Sequence, residues 1–214
     1  MPLLALHAAL GVASAAIIDG RRVLALEADP AGAAQLAVLA SRVLRVAGVV
    51  SGDLGGVAAS VGPGSFTGIR TTLALAAGIG LAAGKPVIGV SVGEALAAIL
   101  PPFAARTLWV VIRARRQRVF LERAGQVTSF ELAAVPVPSG PVLLSGDAAM
   151  PVAERLARAG ADAALATILT ADAAAVGLAG AARLAGSLPP RRALPLYAEP
   201  PAVRLPTGLR PIPI

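Results

Sequence analysis

Hydrophobic and polar positions fall first into short, turn-bounded runs and then, from about residue 31, into helical spacing. Leu3–Leu6 and Val12–Ile18 are apolar runs of strand length with a turn at Gly11 between them. Asp19-Gly20 predicts a hairpin turn into a third strand, Arg22–Glu27. In 31–47, AGAAQLAVLASRVLRVA, the residues Leu36, Leu39, Val43 and Ala47 share one helical face and Gln35, Arg42 and Arg45 lie largely opposite. Ser51-Gly52-Asp53 breaks the pattern before a short strand, Gly56–Val61. A long helix follows with no charge between Arg70 and Lys85, stopped by Gly84 and Pro86. Pro86–Val90 reads as a buried strand. Ser91 and Glu94 are spaced as a capping box for a helix that ends at Pro101-Pro102.

The order β-β-β-α-β-α-β-α predicts a mixed sheet flanked by helices, an α/β fold. Beyond the double proline the pattern starts again: Thr107–Ile112 pairs with Arg118–Glu122 across Ala114–Gln117, which suggests two related lobes. Pro141–Leu144 reads as a strand ending in Ser145-Gly146-Asp147. Val152–Ala159 reads as a helix exposing Glu154, Arg155 and Arg158, and Ala171–Ala185 as an Ala-rich helix. From Leu188 the chain is proline-rich and predicts an extended strap or a disordered tail. The expected division is a lobe at 1–103, a smaller one at 104–198 and a tail at 199–214.

The centre of the chain is 61–84, VGPGSFTGIRTTLALAAGIGLAAG. The loop Gly62-Pro63-Gly64-Ser65-Phe66-Thr67-Gly68 suits neither helix nor strand, and Ser65 and Thr67 both qualify as N-caps. In the helix, Ala74, Gly78 and Ala82 recur every four residues, and so do Ala76, Gly80 and Gly84. Each interior Gly costs about 1 kcal/mol against Ala, so these stripes imply close approach of another backbone. Packing on the protein's own sheet and contact with a partner helix both satisfy that, one stripe each. The glycine-rich loop could also hold an anion, although it has no Gly-Lys-Ser/Thr signature and Arg70 is its only nearby cation.

Composition adds limits. The 214 residues are 56% hydrophobic but only 3% aromatic, so the core is built from Ala, Val, Leu and Ile. Most uncharged runs are broken before the length of a membrane span, and a soluble protein is expected. Residues 1–18 lack the basic start of a signal peptide and read as two strands of the mature fold. With no cysteine there is no disulfide and no thiolate-bound metal. The net charge of +7 comes almost wholly from arginine, a bias that a GC-rich genome also produces.

Catalytic candidates are few. His7 is the only histidine, which excludes a two-histidine metal site within one chain, and it is expected to be a strand residue with a local hydrogen bond. No Gly-x-Ser-x-Gly elbow supports a serine hydrolase. Asp19, Asp29, Asp53, Asp147, Asp162 and Asp172 stand singly, without the local pairing that would hold Mg²⁺. Asp147 follows a strand and a glycine, a place for a ligand group or, more simply, a loop cap. Arg113, Arg115, Arg116, Arg118 and Arg123 form the clearest charged feature, either a nucleic-acid phosphate contact or a solvated hairpin tip.

GPGSFTGIR, the small-residue helix and GKPVIGVS resemble the TsaB (YeaZ) family, and the likeness extends to Leu194-Pro195-Leu196-Tyr197. The resemblance implies the two-lobe actin/sugar-kinase/Hsp70-like (RNase H-like) fold. It implies a cytoplasmic, non-catalytic subunit that binds a TsaD-like catalytic subunit, with a TsaE-like ATPase in the full complex. That machinery makes threonylcarbamoyladenosine at adenosine 37 of tRNAs reading ANN codons. No cofactor is expected on this chain alone; ATP or ADP and metal belong to the partner subunits. Contact with tRNA is expected to be indirect, with Arg113, Arg115 and Arg116 as possible contacts. The family's contact helices match Ala31–Ala47 and Gly68–Ala83, either with TsaD or with a second copy. They name Leu36, Leu39, Val43, Leu73, Ala74, Ala77, Gly78, Gly80 and Ala82 as partner interface. Departures from the family pattern are His7-Ala8-Ala9 and Arg113-Ala114-Arg115, each lacking an expected Asp, and a missing His near Ala33-Ala34-Gln35. An ATP-dependent kinase-like enzyme, a peptidase and a direct tRNA-binding module are the alternatives.

Overall fold

A computed structural model describes residues 1–103 and 105–198. The first lobe opens with an antiparallel meander, β1 (Leu3–His7), β2 (Ala13–Asp19) and β3 (Arg22–Asp29). It continues through α1 (Leu36–Ala47), β4 (Gly56–Gly62), α2 (Phe66–Ala83), β5 (Val87–Ser91) and α3 (Val92–Ile99). Strand order is β3-β2-β1-β4-β5, with β1, β4 and β5 parallel. The second lobe repeats it with β6 (Thr107–Arg113), β7 (Arg118–Arg123), β8 (Gln126–Glu131), β9 (Val142–Ser145), α4 (Ala149–Arg158), β10 (Ala163–Leu165) and α5 (Ala173–Leu184). Its order is β8-β7-β6-β9-β10, the same arrangement as in the first lobe.

Two details differ from the sequence reading, and one choice it left open is settled. Strands β8 and β10 are added at the two edges of the second sheet. The segment 31–47 begins as a 3-10 turn, Gly32–Gln35, in which Gly32 takes a φ of 81°, outside the α-helical region, and it turns α-helical only from Leu36. Of the two candidate caps for α2, Ser65 is the one used: its Oγ accepts from Gly68 N–H at 3.2 Å. The capping box at Ser91 and Glu94 is present as read.

The lobes share a core. Helix α5 lies on the first sheet, so close that a Cβ on Gly177 would come within 2.3 Å of Ile18 Cγ1, and one on Gly180 within 2.7 Å of Ala58 Cβ. Ala5, Ile18, Val90 and Leu96 of the first lobe, Val110 and Ile112 of the second, and Val176 and Ala179 of α5 form one buried cluster. The other face of the first sheet carries α1 and α2, packed through Leu4, Leu6, Leu36, Leu39 and Val43. The outer face of the second sheet carries α4, with Trp109, Leu144, Val152 and Leu156.

The proline-rich segment is an ordered strap as far as Ala198; the expected tail at 199–214 lies outside the described residues. Gly89 N–H, on the free edge of β5, donates to Arg191 O at 3.2 Å, and Leu196 N–H donates to Val61 O at 2.8 Å. The strap thus covers an edge that would otherwise present unpaired backbone groups. Among the described residues α2 alone is long and apolar enough to cross a membrane by length and composition. Here one side of it, Gly68, Ile69, Thr72, Ala76 and Gly80, is packed against the protein.

Candidate functional site

The motif loop is shaped by backbone-to-backbone contact. A Cβ on Gly64 would lie 2.2 Å from Ala9 O, and one on Gly68 1.9 Å from Ala8 O. No side chain fits at either position, and Gly64 also has φ +150°. Ser65 N–H donates to Ala9 O at 2.8 Å. The loop therefore seats the N-terminus of α2 on the turn after β1. Its Ser65 and Gly68 N–H groups are engaged inside the protein, which removes them from the anion cradle considered above.

Helix α2 then shows two unlike faces. Ala76 and Gly80 are buried; a Cβ on Gly80 would meet Val87 Cγ2 at 2.6 Å and Lys85 O at 3.0 Å. Ala74, Ala77, Gly78 and Ala82 are exposed, Leu73 is half-buried, and a Cβ on Gly78 would have nothing within 4 Å. Of the residues named as partner interface, Leu36, Leu39 and Val43 are 0%, 2% and 0% exposed, and Gly80 is buried as well. That is a correction. The apolar stripe of an amphipathic helix goes to its own sheet first, and only the outward side remains for others. The sequence reading omitted Leu81, 86% exposed, although it adjoins the small-residue stripe.

At the end of β1, His7 is buried and, among the described residues, neither ring nitrogen has a hydrogen-bond partner, contrary to the local hydrogen bond expected for it. Burial lowers its pKa to about 4, with the Asp172 charge pulling it partly back. Beside it on β2, Ser14 Oγ accepts from Ala173 N–H at 2.9 Å at the start of α5. The corresponding end of β6 is closed differently: Arg113 N–H donates to Asp147 Oδ1 at 2.7 Å, so Asp147 is a cap.

The junction of the lobes holds a polar cluster that sequence reasoning missed. Glu122 of β7 is 3% exposed; one carboxyl oxygen takes the Ser91 hydroxyl and the other accepts from Gly93 N–H at 2.8 Å, at the N-terminus of α3. Burial pushes its pKa up to about 7, against the hydrogen bonds from Ser91 and Gly93 that lower it. Neighbouring Glu94 goes the other way. Burial pushes its carboxyl up, but the Arg183 hydrogen bond, Ser91 N–H and the Arg191 and Arg183 charges outweigh burial and hold it below the ordinary range. Arg183 of α5 donates to Glu94 Oε1 at 2.6 Å and to Gly89 O at 2.6 Å, and Arg191 of the strap lies 3.1 Å from Glu94. A cavity of about 340 Å³ opens beside the two carboxyls, walled by Ala97, Phe103, Leu108 and Val110.

The five arginines do not form one patch. Arg113, Arg115 and Arg116 are exposed around the β6–β7 hairpin tip, where Arg116 and Gln117 take φ of 56° and 57°. Arg118 is engaged with Ser129, and Arg123, at the far end of β7, lies over the Trp109 ring at 5.2 Å. Among the described residues no three His, Cys, Asp or Glu side chains cluster as a metal site would.

The family model for TsaD, tRNA N6-adenosine threonylcarbamoyltransferase, matches residues 26–186. YeaZ from Pseudomonas aeruginosa is 26% identical with a TM-score of 0.73, and an uncharacterised protein from that organism with similarity to peptidase YeaZ is 25% identical with a TM-score of 0.74. Each comparison covers 92% of this chain and 99% of the other. The activator of the 2-hydroxyisocaproyl-CoA dehydratase from Clostridium difficile, with ADPNP bound, shares the fold at 9% identity and a TM-score of 0.51, over 87% of this chain and 97% of that one. No curated protein sequence matches the chain. The fold is the two-lobe one of actin, sugar kinases and Hsp70 chaperones. The chain belongs to the TsaD family, tRNA N6-adenosine threonylcarbamoyltransferase, and within it to the TsaB (YeaZ) proteins of threonylcarbamoyladenosine biosynthesis.

Proposed function

We propose that this chain is a non-catalytic subunit that binds and activates a TsaD-like catalytic subunit during threonylcarbamoyl transfer to adenosine 37 of tRNA. The observation that carries this reading is the outward face of α2. Ala74, Ala77, Gly78 and Ala82 are exposed and small, Leu81 is exposed and large, and a Cβ on Gly78 would meet nothing within 4 Å among the described residues. A helix that keeps Gly in an exposed interior position gives up about 1 kcal/mol, which close approach of a partner helix offsets. At the end of β1, where the family's usual Asp would stand, a neutral, buried His7 stands instead, consistent with leaving nucleotide and metal to the partners. In this reading the TsaD-like and TsaE-like subunits carry ATP or ADP and metal, the complex works in the cytoplasm, and tRNA meets this chain through them.

Reconstitution tests it. TsaD-like and TsaE-like subunits, a threonylcarbamoyl donor and tRNA are combined with and without this chain, and modified nucleoside is measured by mass spectrometry. Product that depends on the chain and is lost with Gly78→Arg supports the reading. Equal product without the chain overturns it.

A further inference from the structure

The strap ends against the start of the same helix. Tyr197 stacks on Phe66 with ring centroids 5.7 Å apart and 27° between planes, and the Arg70 guanidinium lies over the Phe66 ring at 4.5 Å. Both rings remain about half in water, Phe66 at 49% and Tyr197 at 45% exposed. Arg70 is exposed and makes no ion pair or hydrogen bond among the described residues. Neither α1 nor α2 contains a single Asp or Glu. Phe66, Arg70, Ala74, Gly78 and Ala82 are four residues apart in turn, so the ring cluster and the small-residue stripe form one continuous strip along the helix.

We infer that the Phe66–Tyr197–Arg70 cluster anchors the partner contact, and that the partner meets Arg70 with a carboxylate carried on the helix lying along the α2 stripe. This rests on the proposed function and specifies its chemistry. A guanidinium held over an aromatic ring keeps its N–H edge free, and a carboxylate fits that edge with two parallel hydrogen bonds. Half-exposed rings beside an arginine are the side chains that dominate interface energies once water is excluded. The small residues beyond them let a helix backbone come close enough to reach the cluster. A nucleic-acid phosphate would also satisfy Arg70, but it has no use for the exposed apolar run that continues to Leu81.

The test titrates the TsaD-like subunit from the same organism into wild type, Arg70→Ala, Arg70→Lys and Tyr197→Ala, by calorimetry at low and high salt, with each variant's melting temperature as the folding check. Arg70→Ala is expected to weaken binding roughly 30-fold or more, Arg70→Lys to recover only part of that, and Tyr197→Ala to weaken it about tenfold. Salt should weaken the wild-type complex more than the Arg70→Ala complex. An acid-to-alanine scan of the partner should find one carboxylate whose loss adds nothing further in the Arg70→Ala background. Wild-type affinity in both Arg70→Ala and Tyr197→Ala overturns the anchor and leaves the proposed function standing. Unchanged partner affinity with loss of salt-sensitive tRNA binding in Arg70→Ala overturns it in favour of an RNA contact. No complex with wild type overturns the underlying reading itself.

Discussion

The two lobes have the same strand order, yet the helices after their fourth strands present opposite surfaces. Helix α4 of the second lobe exposes Glu154 and Arg158, an i,i+4 pair at 3.7 Å, on an ordinary solvated face. Helix α2 of the first lobe is nearly twice as long, carries Arg70 as its only charge, and leaves Ala74, Ala77, Gly78, Leu81 and Ala82 uncovered. Topology did not require this, since the repeat manages without it. The uncharged face is a property of the first lobe alone, and the proposed partner contact is what distinguishes the lobes.

What the lobes share should break both. Near the start of this helix each lobe has a glycine with no room for a side chain: a Cβ on Gly68, in the first turn of α2, would lie 1.9 Å from Ala8 O, and one on Gly146, just before α4, 2.1 Å from Val111 O. Gly68→Ala and Gly146→Ala are each expected to cost about 3 kcal/mol or more in urea unfolding, because backbone has to move. A cost under about 1 kcal/mol at either would show that the two seats are not equivalent.

Two buried groups, one from each lobe, should oppose each other with pH. The folded pKa of Glu122 is raised from 4.5 to about 7, so its contribution is fully present below 4.5 and lost as pH rises through about 7. The folded pKa of His7 is lowered from 6.5 to about 4, so its contribution is present above 6.5 and lost as pH falls through about 4. Each amounts to at most about 3–4 kcal/mol, and between about pH 4.5 and 6.5 they largely cancel. Stability measured across that window should be nearly flat in wild type. It should rise with pH in Glu122→Gln and fall with pH in His7→Gln. Parallel curves in all three would refute both assignments.

The smallest effect separates the two stripes of α2. Gly78→Ala should raise the stability of the isolated chain by about 0.5–1 kcal/mol, because the added methyl meets nothing and the helix gains propensity. Gly80→Ala should lower it, since its Cβ would press on Val87 and the Lys85 carbonyl. Melting temperatures moving in opposite directions would establish that one stripe serves the fold and the other does not.

Much of this was legible from residue order alone. The meander, the Ser91–Glu94 box, the Ser65 cap and the two small-residue stripes are local patterns, and local physics forms them. The second lobe was less legible: Gln126–Glu131 and Ala163–Leu165 are half-buried or exposed edge strands with little apolar signal. Hydrophobic spacing put Leu36, Leu39 and Val43 on one helical face without saying which surface that face meets, and it meets the chain's own sheet. The Glu122–Ser91 contact joins residues 31 apart and Arg183–Glu94 joins residues 89 apart; both exist only after the lobes have closed. The Phe66–Tyr197 stack depends on the strap returning along β5, which a proline-rich composition does not reveal.

The central claim is that the exposed stripe of α2 is a partner surface, and the lobe repeat provides its control. Affinity of the TsaD-like subunit should be measured for wild type, Gly78→Arg on α2, and Arg158→Glu on the matching helix of the second lobe. The account predicts that Gly78→Arg abolishes binding, at least a hundredfold loss or about 3 kcal/mol, with the fold intact, and that Arg158→Glu binds as wild type. Equal binding by all three would contradict it.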